Sequence, residues 1–507
     1  MPLISSIFSW FMKQRIHQIE LFAKFPFEVQ EDLLQRLIVQ ARHTEFGRRF
    51  EFSSLTNSIQ FRERVPLQDY ESLKPYIARL QQGEQNILWP TDVRWFAKSS
   101  GTTNDRSKFI PVTTEALEEC HFKGGKDLLC IYFHNNPESK LFDGKLLTLG
   151  GSHHVNAFNN ESFYGDLSAI LIQNLPFWIQ LFRTPDRSIA LMDEWEMKLQ
   201  KMAEQTMNEN VTNIAGVPSW MLVLLKRVLE MSGKSNLLEV WPNLELFVHG
   251  AVSFSPYKEQ FHSLIPKADM YYLETYNASE GFFGIQDQQN SDEMLLMLDY
   301  GIYYEFIAQS EWELENPKTI SLSQVKTGEN YAIVITTNAG LWRYKIGDTV
   351  TFTSVNPFRI KITGRTAHFI NAFGEELIIA NAENALEHAC SITGAIIREY
   401  TAAPVYFDEN KSGAHEWLIE FEKIPADISY FGYLLDGALK KNNSDYEAKR
   451  YQNKVLNDPV IRVMPEGTFY NWMKMHEKLG GQHKVPRLAN HRKFVEEINS
   501  MVNSVTE

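Results

Sequence analysis

Hydrophobic residues near the start of the chain recur at spacings of three and four positions, as at Ile16, Ile19 and Phe22. Such spacing places apolar side chains on one face of a helix and polar side chains on the other. Residues 10–80 are therefore predicted to be mostly helical and to form a packed helical layer.

A different pattern begins at residue 93, where short apolar runs such as 146–149 and 244–248 alternate with longer helical stretches such as 195–209. Strands that alternate with helices indicate an α/β fold. We therefore predict a large N-terminal domain of this class, in which β-sheet is layered with helices.

Residues 294–363 are rich in β-forming runs separated by turn residues, which predicts a smaller β-rich, barrel-like subdomain. Beyond Gly364-Arg365-Thr366, helices and strands resume as an α+β unit and end in a polar, basic tail. We place a hinge at this turn and predict two domains, 1–364 and a smaller, mobile 365–507.

Charge and cysteine content narrow the environment and the partners. A formal net charge of −13 weighs against nucleic acid or an anionic membrane as the primary partner. Three cysteines without CxxC spacing favour a reducing compartment and no structural zinc, so we expect a cytoplasmic protein. Residues 1–12 lack the features of a signal peptide, and Lys13 follows too soon for a membrane span, which predicts an amphipathic first helix.

Residues 99–108, Ser-Ser-Gly-Thr-Thr-Asn-Asp-Arg-Ser-Lys, contain many hydroxyls and two cations. Gly101 lets the backbone approach a ligand closely, while Arg106 and Lys108 can offset phosphate charge. We predict a strand before this segment and a capped helix after it, the position of a ligand loop in an α/β fold. The spacing does not match a P-loop, and a simple polar turn is an equally good explanation of the segment alone.

The segment Tyr276-Asn277-Ala278-Ser279-Glu280-Gly281 follows a predicted strand at 268–273. A tyrosine can stack on a nucleobase, and a nearby carboxylate can hold Mg²⁺. A polar turn after a buried strand is the commoner reason for such a sequence.

Two later segments add charged groups. Gly347 is predicted to form a turn that exposes Asp348, whose two oxygens could accept hydrogen bonds from both ribose hydroxyls. Lys484 lies on a glycine-flanked loop near the end of the chain, where a mobile cation could reach an active site. Taken singly, a turn-stabilising aspartate and a solvated lysine would explain both.

The chain resembles the ANL adenylating superfamily in the order of four segments: Ser-Ser-Gly-Thr, Tyr-x-Ala-Ser-Glu-Gly, Trp-Arg-Tyr-x-x-Gly-Asp and Gln-x-Lys-x-Pro-Arg. The resemblance also includes Thr363-Gly364-Arg365 and residues 373–377. Within this superfamily the chain is similar to the auxin-responsive acyl acid-amido synthetases, plant enzymes with bacterial relatives, of which it would be a bacterial member. The resemblance spans residues 61–487. It implies Mg²⁺- and ATP-dependent conversion of a carboxylic acid to acyl-AMP, followed by transfer of the acyl group to an amine, expected to be an amino acid.

The resemblance also implies roles for individual residues. Glu280 would hold Mg²⁺ and face the α-phosphate, and Lys484 would bridge the acyl carboxylate and that phosphate. Residues that would bind ATP are Ser99, Ser100, Thr102, Thr103, Lys108, Tyr276, Ser279, Asp348 and, at the hinge, Arg365. The acyl acid would lie beside His249, Gly250, Ala251 and Val252.

One position departs from the family pattern. Asp105 stands where similar loops often have a glycine, so this carboxylate must point away from the phosphates or toward Mg²⁺.

Two other functions stay open. An acyl-CoA ligase would form the same adenylate but transfer the acyl group to a thiol, and a non-catalytic nucleotide or acyl-acid sensor would not need Lys484. No heptad repeat argues against a monomer.

Overall fold

Helices dominate the first 80 residues, as the apolar spacing predicts. The computed structural model describes residues 2–100, 107–149, 156–159, 161–175, 179, 182–192, 195–252, 254, 257–312, 314, 316–366, 369–407, 412–451, 455–476 and 485–505. The α-helices are α1 (Pro2–Lys24), α2 (Pro26–Ala41), α3 (Glu45–Arg49), α4 (Ser58–Arg64), α5 (Tyr70–Gln81), α6 (Phe122–Asn135), α7 (Leu167–Asn174), α8 (Arg187–Ala190), α9 (Trp195–Thr206), α10 (Pro218–Ser232), α11 (Lys258–Leu264), α12 (Ile379–Thr393), α13 (Ile428–Asn442), α14 (Ser444–Arg450), α15 (Thr468–Met475) and α16 (Lys493–Val505).

Strands follow from β-forming runs along the rest of the chain. They are β1 (Trp95–Ser100), β2 (Ser107–Val112), β3 (Lys145–Leu149), β4 (Asn156–Ala157), β5 (Phe163–Gly165), β6 (Arg183–Thr184), β7 (Val211–Gly216), β8 (Leu246–Gly250), β9 (Tyr271–Ala278), β10 (Gly281–Ile285), β11 (Met294–Leu296), β12 (Ile302–Ala308), β13 (Thr319–Ser321), β14 (Asn330–Thr337), β15 (Tyr344–Val355), β16 (Phe358–Arg365), β17 (Phe369–Ile370), β18 (Leu377–Ile378), β19 (Ile396–Val405), β20 (Ala414–Lys423) and β21 (Val460–Met464).

One large sheet runs through the N-terminal part, in the order β13-β12-β14-β15-β16-β11-β10-β9-β8-β7-β3-β6 among the described strands. The five strands from β6 to β9 in this order are parallel, and the others pair antiparallel. The parallel strands contribute buried apolar residues to two cores that also contain helical residues: Leu246 and Leu273 to one, and Leu147, Ile214 and Phe247 to the other. The predicted α/β class is confirmed, and the β-rich segment continues this sheet.

The segment at residues 99–108 differs from its predicted setting. It joins β1 to β2, which pair antiparallel as a hairpin in which Ser99 lies opposite Lys108. The predicted helix does follow, with Thr113 accepting the Ala116 N–H at its start, but it begins with a π-helical turn over Ala116–His121. The prediction of a direct strand-to-helix loop is therefore wrong, because Ser107–Val112 satisfies its backbone groups by pairing with β1.

The C-terminal residues form a separate three-stranded sheet, β19-β20-β21, packed with helices α12 and α13. Buried apolar residues from Ile370 onward make a core of their own, which includes Phe373, Trp417 and Leu435. The domain boundary at 364 and 365 remains our prediction.

The prediction that the chain ends in a polar tail is wrong. Strand β21 extends the small sheet, and α16 buries Val495 and Ile498 against Leu418. The apolar positions of α16 recur at helical spacing among many polar residues, so the average polarity of the tail concealed an amphipathic helix. Across the part of the chain that the structure describes, no helix has the length and apolar content needed to cross a bilayer.

A buried ion pair fixes the turn that precedes β15. Arg343 has a positive φ of 45° and donates two hydrogen bonds of 2.9 Å to Glu305 on β12. It also donates to the carbonyl oxygens of Arg62 and Val65, which hold the end of α4. The arginine of the Trp-Arg-Tyr segment therefore has a structural role, joining the helical layer to the large sheet.

Removing this arginine should destabilise the fold strongly, because Glu305 would remain buried without its partner. We expect Arg343→Met to lower the free energy of unfolding by about 3–5 kcal/mol, measured by chemical denaturation. Arg94→Met, which breaks an exposed pair with Asp92, should change it by less than about 0.5 kcal/mol. Equal effects of the two substitutions would contradict the structural role of Arg343.

Candidate active site

A cleft of about 1510 Å³ opens at the carboxyl ends of the parallel strands and extends to the C-terminal unit. This is the usual location of ligand sites in α/β sheets. Of the predicted site residues, those that line the cleft are Ser99, His249, Ala251, Val252, Tyr276, Ser279, Glu280, Asp348 and Arg365. Residues from four distant stretches of sequence therefore converge on one cavity.

Asp348 lies at the centre of this convergence. Its Oδ2 accepts a hydrogen bond of 2.7 Å from the Tyr276 hydroxyl, and its Oδ1 accepts one of 2.8 Å from Arg365 Nε. Asp348 and Arg365 are register partners on β15 and β16. Three predicted nucleotide-binding residues thus form one hydrogen-bonded unit.

The local structure around Asp348 corrects two expectations. Gly347 has φ of 92° but lies within β15, at an irregularity of its pairing with β14, so it forms a bulge and not a turn. Asp348 is only 9% exposed, whereas an exposed carboxylate was expected. The bulge orients the Asp348 side chain toward the Tyr276 hydroxyl. Both residues are buried, so their hydrogen bond is shielded from water.

The Tyr276 segment is also positioned differently from the prediction. Strand β9 extends through Ala278, so Tyr276 lies inside the strand, and the turn consists of Ser279 and Glu280. Tyr276 is buried, and its ring packs on Phe283 at a centroid distance of 4.7 Å. The tyrosine thereby fixes the end of β9 beside the cleft.

Glu280 lines the cleft next to this unit, and the buried Lys108 is the cation that acts most strongly on its carboxylate. Burial raises the pKa of Glu280 to about 7, while the positive charge of Lys108 opposes the rise and Asp348 adds to it. Burial lowers the pKa of Lys108, and the negative charge of Glu280 opposes that change. Each residue therefore stabilises the charged form of the other.

Lys108 is held below the surface by the β1–β2 hairpin. It is 9% exposed, and its Nζ lies 6.0 Å from the centroid of the Tyr70 ring. Ser100 ends β1 next to the described cleft wall, while Thr102, Thr103 and Asp105 lie outside the described residues. Lys484 also lies outside them.

The segment predicted to contact the acyl acid forms the end of β8 and the residues after it. His249 is buried and stacks on Phe254 at a centroid distance of 4.2 Å, and burial lowers its pKa to about 3. Gly250 packs so closely on β9 that a Cβ there would lie 2.4 Å from the Thr275 carbonyl oxygen. Ala251, with φ of 69°, and the buried Val252 continue the cleft wall.

Sequence reasoning missed two groups in the cleft. Glu274 lies on β9 two residues before Tyr276, and strand alternation from Tyr276 would have placed it on the same face. Lys449, from the C-terminal unit, places its Nζ 3.7 Å from the centroid of the Trp220 ring. Nothing in the local sequence signals this cation–π contact, because its partners are more than 200 residues apart.

Comparisons with known proteins agree with this arrangement. Models of the GH3 family match the chain in three parts: the N-terminal domain over residues 15–270, the central domain over 295–365 and the C-terminal domain over 380–493. Indole-3-acetic acid-amido synthetase GH3.4 of Arabidopsis thaliana is 24% identical over 96% of this chain and 93% of its own.

Two solved structures share the fold. AtGH3.15 acyl acid amido synthetase in complex with 2,4-DB superposes with a TM-score of 0.64 at 16% identity, covering 96% of both chains. A 2-hydroxyisobutyryl-CoA ligase in complex with 2-HIB-AMP and CoA superposes with a TM-score of 0.54 at 14% identity, covering 94% of this chain and 92% of its own. At these identities the likeness establishes the fold alone.

Glu274 yields a test of the cleft's electrostatics. Burial raises the pKa of this carboxyl to about 7, so the folded state holds its proton more tightly than the unfolded state. Its cost to stability therefore develops as pH rises from the usual carboxyl pKa to about 7, and stays constant above that. We expect Glu274→Gln to raise the melting temperature relative to the wild-type protein at about pH 8, and by less at about pH 5. An advantage of the same size at both pH values would contradict the raised pKa.

Proposed function

Since the chain belongs to the GH3 family, we propose that it is an ATP-dependent acyl acid-amido synthetase. An oxygen of the acid's carboxylate attacks the α-phosphorus of ATP, and the bond from that phosphorus to the bridging oxygen breaks, which releases pyrophosphate. The nitrogen of an amine, proposed to be an amino acid, then attacks the acyl carbon. The bond from that carbon to the AMP oxygen breaks, giving an amide, AMP and a proton.

The observation that carries this proposal is the convergence of Tyr276, Glu280, Asp348 and Arg365 in one cleft, where the charge of the buried Lys108 acts on Glu280. Neither step needs a protein nucleophile, so catalysis depends on holding two anions in line and stabilising the charge that develops. A cleft with buried cations beside oriented carboxylates supports that kind of chemistry.

We propose the nucleotide contacts from the family resemblance together with the residues that line this cleft. The hairpin end would hold the phosphates, the Tyr276 segment would lie against the adenine and the α-phosphate, and Asp348 would bind the ribose hydroxyls. The proposed ATP-binding residues are Ser99, Ser100, Thr102, Thr103, Lys108, Tyr276, Ser279, Asp348 and Arg365.

Magnesium fits the donor set at Glu280. Mg²⁺ in nucleotide sites is commonly held by one or two carboxylates together with phosphates and water, and does not need a protein cage. Within the described residues no cluster of three or more His, Cys, Asp or Glu side chains is poised to hold a metal, whereas Glu280 faces the cleft singly. Bound there, Mg²⁺ would neutralise phosphate charge.

Lys484 is proposed as the catalytic cation of the first step. It belongs to the segment after α15, and the C-terminal unit that carries it faces the cleft through Glu376, Lys449 and Asn490. We propose that movement of the 365–507 domain brings Lys484 to the carboxylate and the α-phosphate, and that reopening admits the amine. The acyl group itself would lie along His249, Gly250, Ala251 and Val252.

The acceptor distinguishes this function from that of an acyl-CoA ligase. A CoA ligase has the same fold, so the fold does not select between a thiol and an amine. Family membership, and the amido synthetase that aligns with 96% of the chain, support the amine. We further propose a cytoplasmic monomer, in keeping with three free cysteines.

Acid-dependent exchange of pyrophosphate into ATP tests the first step, with a panel of aryl, indole and aliphatic acids. Amide formation upon addition of amino acids, detected by mass, tests the second. We expect both with at least one acid. Discharge of the adenylate by coenzyme A alone would establish the ligase instead, and ATP binding without exchange for any acid would establish the sensor.

Lys484→Ala separates catalysis from nucleotide binding. We expect it to slow pyrophosphate exchange by about 10² or more, because it removes positive charge that acts in the transition state, while the Kd for ATP changes little. Lys474→Ala, which removes an exposed lysine from the neighbouring α15, serves as the matched control and should exchange normally. Normal exchange by Lys484→Ala would exclude the assigned role.

A further inference from the structure

Four side chains on one face of strands β8 and β9 form a two-by-two array. Phe247 pairs with Tyr272 and His249 pairs with Glu274 in this parallel register. Residues two apart in a strand share a face, so all four side chains project from the same side of the sheet. His249, Tyr272 and Glu274 line the cleft.

An aromatic wall surrounds this array. The ring centroid of Phe254 lies 4.2 Å from that of His249, 5.2 Å from that of Tyr272 and 5.9 Å from that of Phe247. His262 adds a fifth ring, 5.3 Å from Tyr272. A ligand group beside this wall would contact flat apolar surfaces, which favours an aromatic or other compact apolar body.

Three polar groups within the wall have no hydrogen-bond partner among the described residues. Two of them, His249 Nδ1 and the Tyr272 hydroxyl, are buried atoms. The third is the carboxyl of the half-buried Glu274, on which no described cation or hydrogen-bond donor acts. Native structures pair nearly all such atoms, because an unsatisfied buried polar group costs free energy. Burial without a cationic partner also raises the pKa of Glu274 to about 7. A ligand can supply the hydrogen bonds that these groups lack.

The array lies close to the proposed nucleotide site along β9. Glu274 and Tyr276 are two residues apart on β9, or roughly 7 Å along the strand. Tyr276 binds Asp348 in the proposed nucleotide site. A small acid with its carboxylate at that site would extend its other end along β9 toward Glu274 and Tyr272.

We propose that this cleft selects acyl acids with an aromatic or compact apolar body and a hydrogen-bond donor, an O–H or N–H, at the end remote from the carboxylate. The donor binds the Glu274 carboxylate, while His249 and Tyr272 complete its polar surroundings. This inference rests on the proposed function, because it identifies the substrate class of the same site.

The physical basis of the selection is the cost of leaving polar groups unpaired. A site built to bind a hydroxyl or an N–H can reject an analogue that lacks it by factors of 10⁴–10⁵, far more than one methylene can achieve in an apolar pocket. An acid with a methyl group in place of the donor would leave Glu274 buried and unpaired. The donor-bearing acid would stabilise its ionised form.

Matched acids test the proposal in the pyrophosphate exchange reaction. We would compare 4-hydroxyphenylacetate with 4-methylphenylacetate, and 4-aminobenzoate with 4-methylbenzoate, on the wild-type protein and on Glu274→Gln and Glu274→Leu. In at least one pair the wild-type protein should prefer the donor-bearing acid by about 10² or more in kcat/KM. Glu274→Leu should reduce that ratio at least about tenfold, while Glu274→Gln, which keeps the shape and a hydrogen-bonding oxygen, should reduce it less.

Controls separate this inference from the proposed function. Glu259→Gln removes an exposed carboxylate of α11, outside the cleft, and should keep the wild-type ratio. Exchange by the wild-type protein with equal or greater preference for the methyl acids, or an unchanged ratio in Glu274→Leu, would overturn the inference and leave the synthetase intact. Absence of exchange with every acid, by contrast, would overturn the proposed function and this inference with it.

Discussion

The carboxylate of Asp348 joins the parts of the chain on which the candidate site depends. Tyr276 comes from the last parallel strand of the large sheet, Arg365 from the final residue of β16, and both bind this one side chain. A buried carboxylate requires such partners, because it loses the hydrogen bonds of water. The same requirement holds the end of β9 and the start of the C-terminal segment at one fixed point, with Glu280 and Lys108 beside it.

Two further buried ion pairs fix the frame around that point. Arg343 joins β12 to the helical layer through Glu305, and Arg15 on α1 binds Asp127 and Asp299 with hydrogen bonds of 2.6 to 2.9 Å. Each arginine connects elements that are far apart in sequence, and each is nearly excluded from solvent. Ion pairs of this kind add little stability over an apolar contact, but they tolerate only one arrangement of their partners. They therefore specify how the helical layer sits on the sheet.

The sequence was informative where local periodicity decides structure and where short segments carry chemistry. It predicted the α/β class and the early helices, and nine of the predicted site residues line the cleft. It missed the strand Ser107–Val112, which pairs with β1 and places a hairpin between the predicted strand and the predicted helix. Likewise, Gly347 indicates positive φ correctly, but whether that makes a turn or a bulge depends on β14 and β16. Glu274 was missed because alternation assigns a face only after the strand's bounds are known.

Charge balance links the described cleft to the order of the proposed reaction. Around the nucleotide site, Lys108 and Arg365 stand against the carboxylates of Glu280, Asp348 and Glu376. Lys98 and Lys449 also line the cleft, but the two cations and three carboxylates around Asp348 leave no net positive charge there to neutralise a triphosphate. ATP therefore requires additional positive charge, which Mg²⁺ at Glu280 and Lys484 would supply. Once pyrophosphate has left, the acyl-adenylate carries a single negative charge, a smaller demand that the fixed cations come closer to meeting. In the proposed reaction the fixed charges of the site would thus be better matched to the intermediate than to ATP, and Lys484 would be needed only during adenylation.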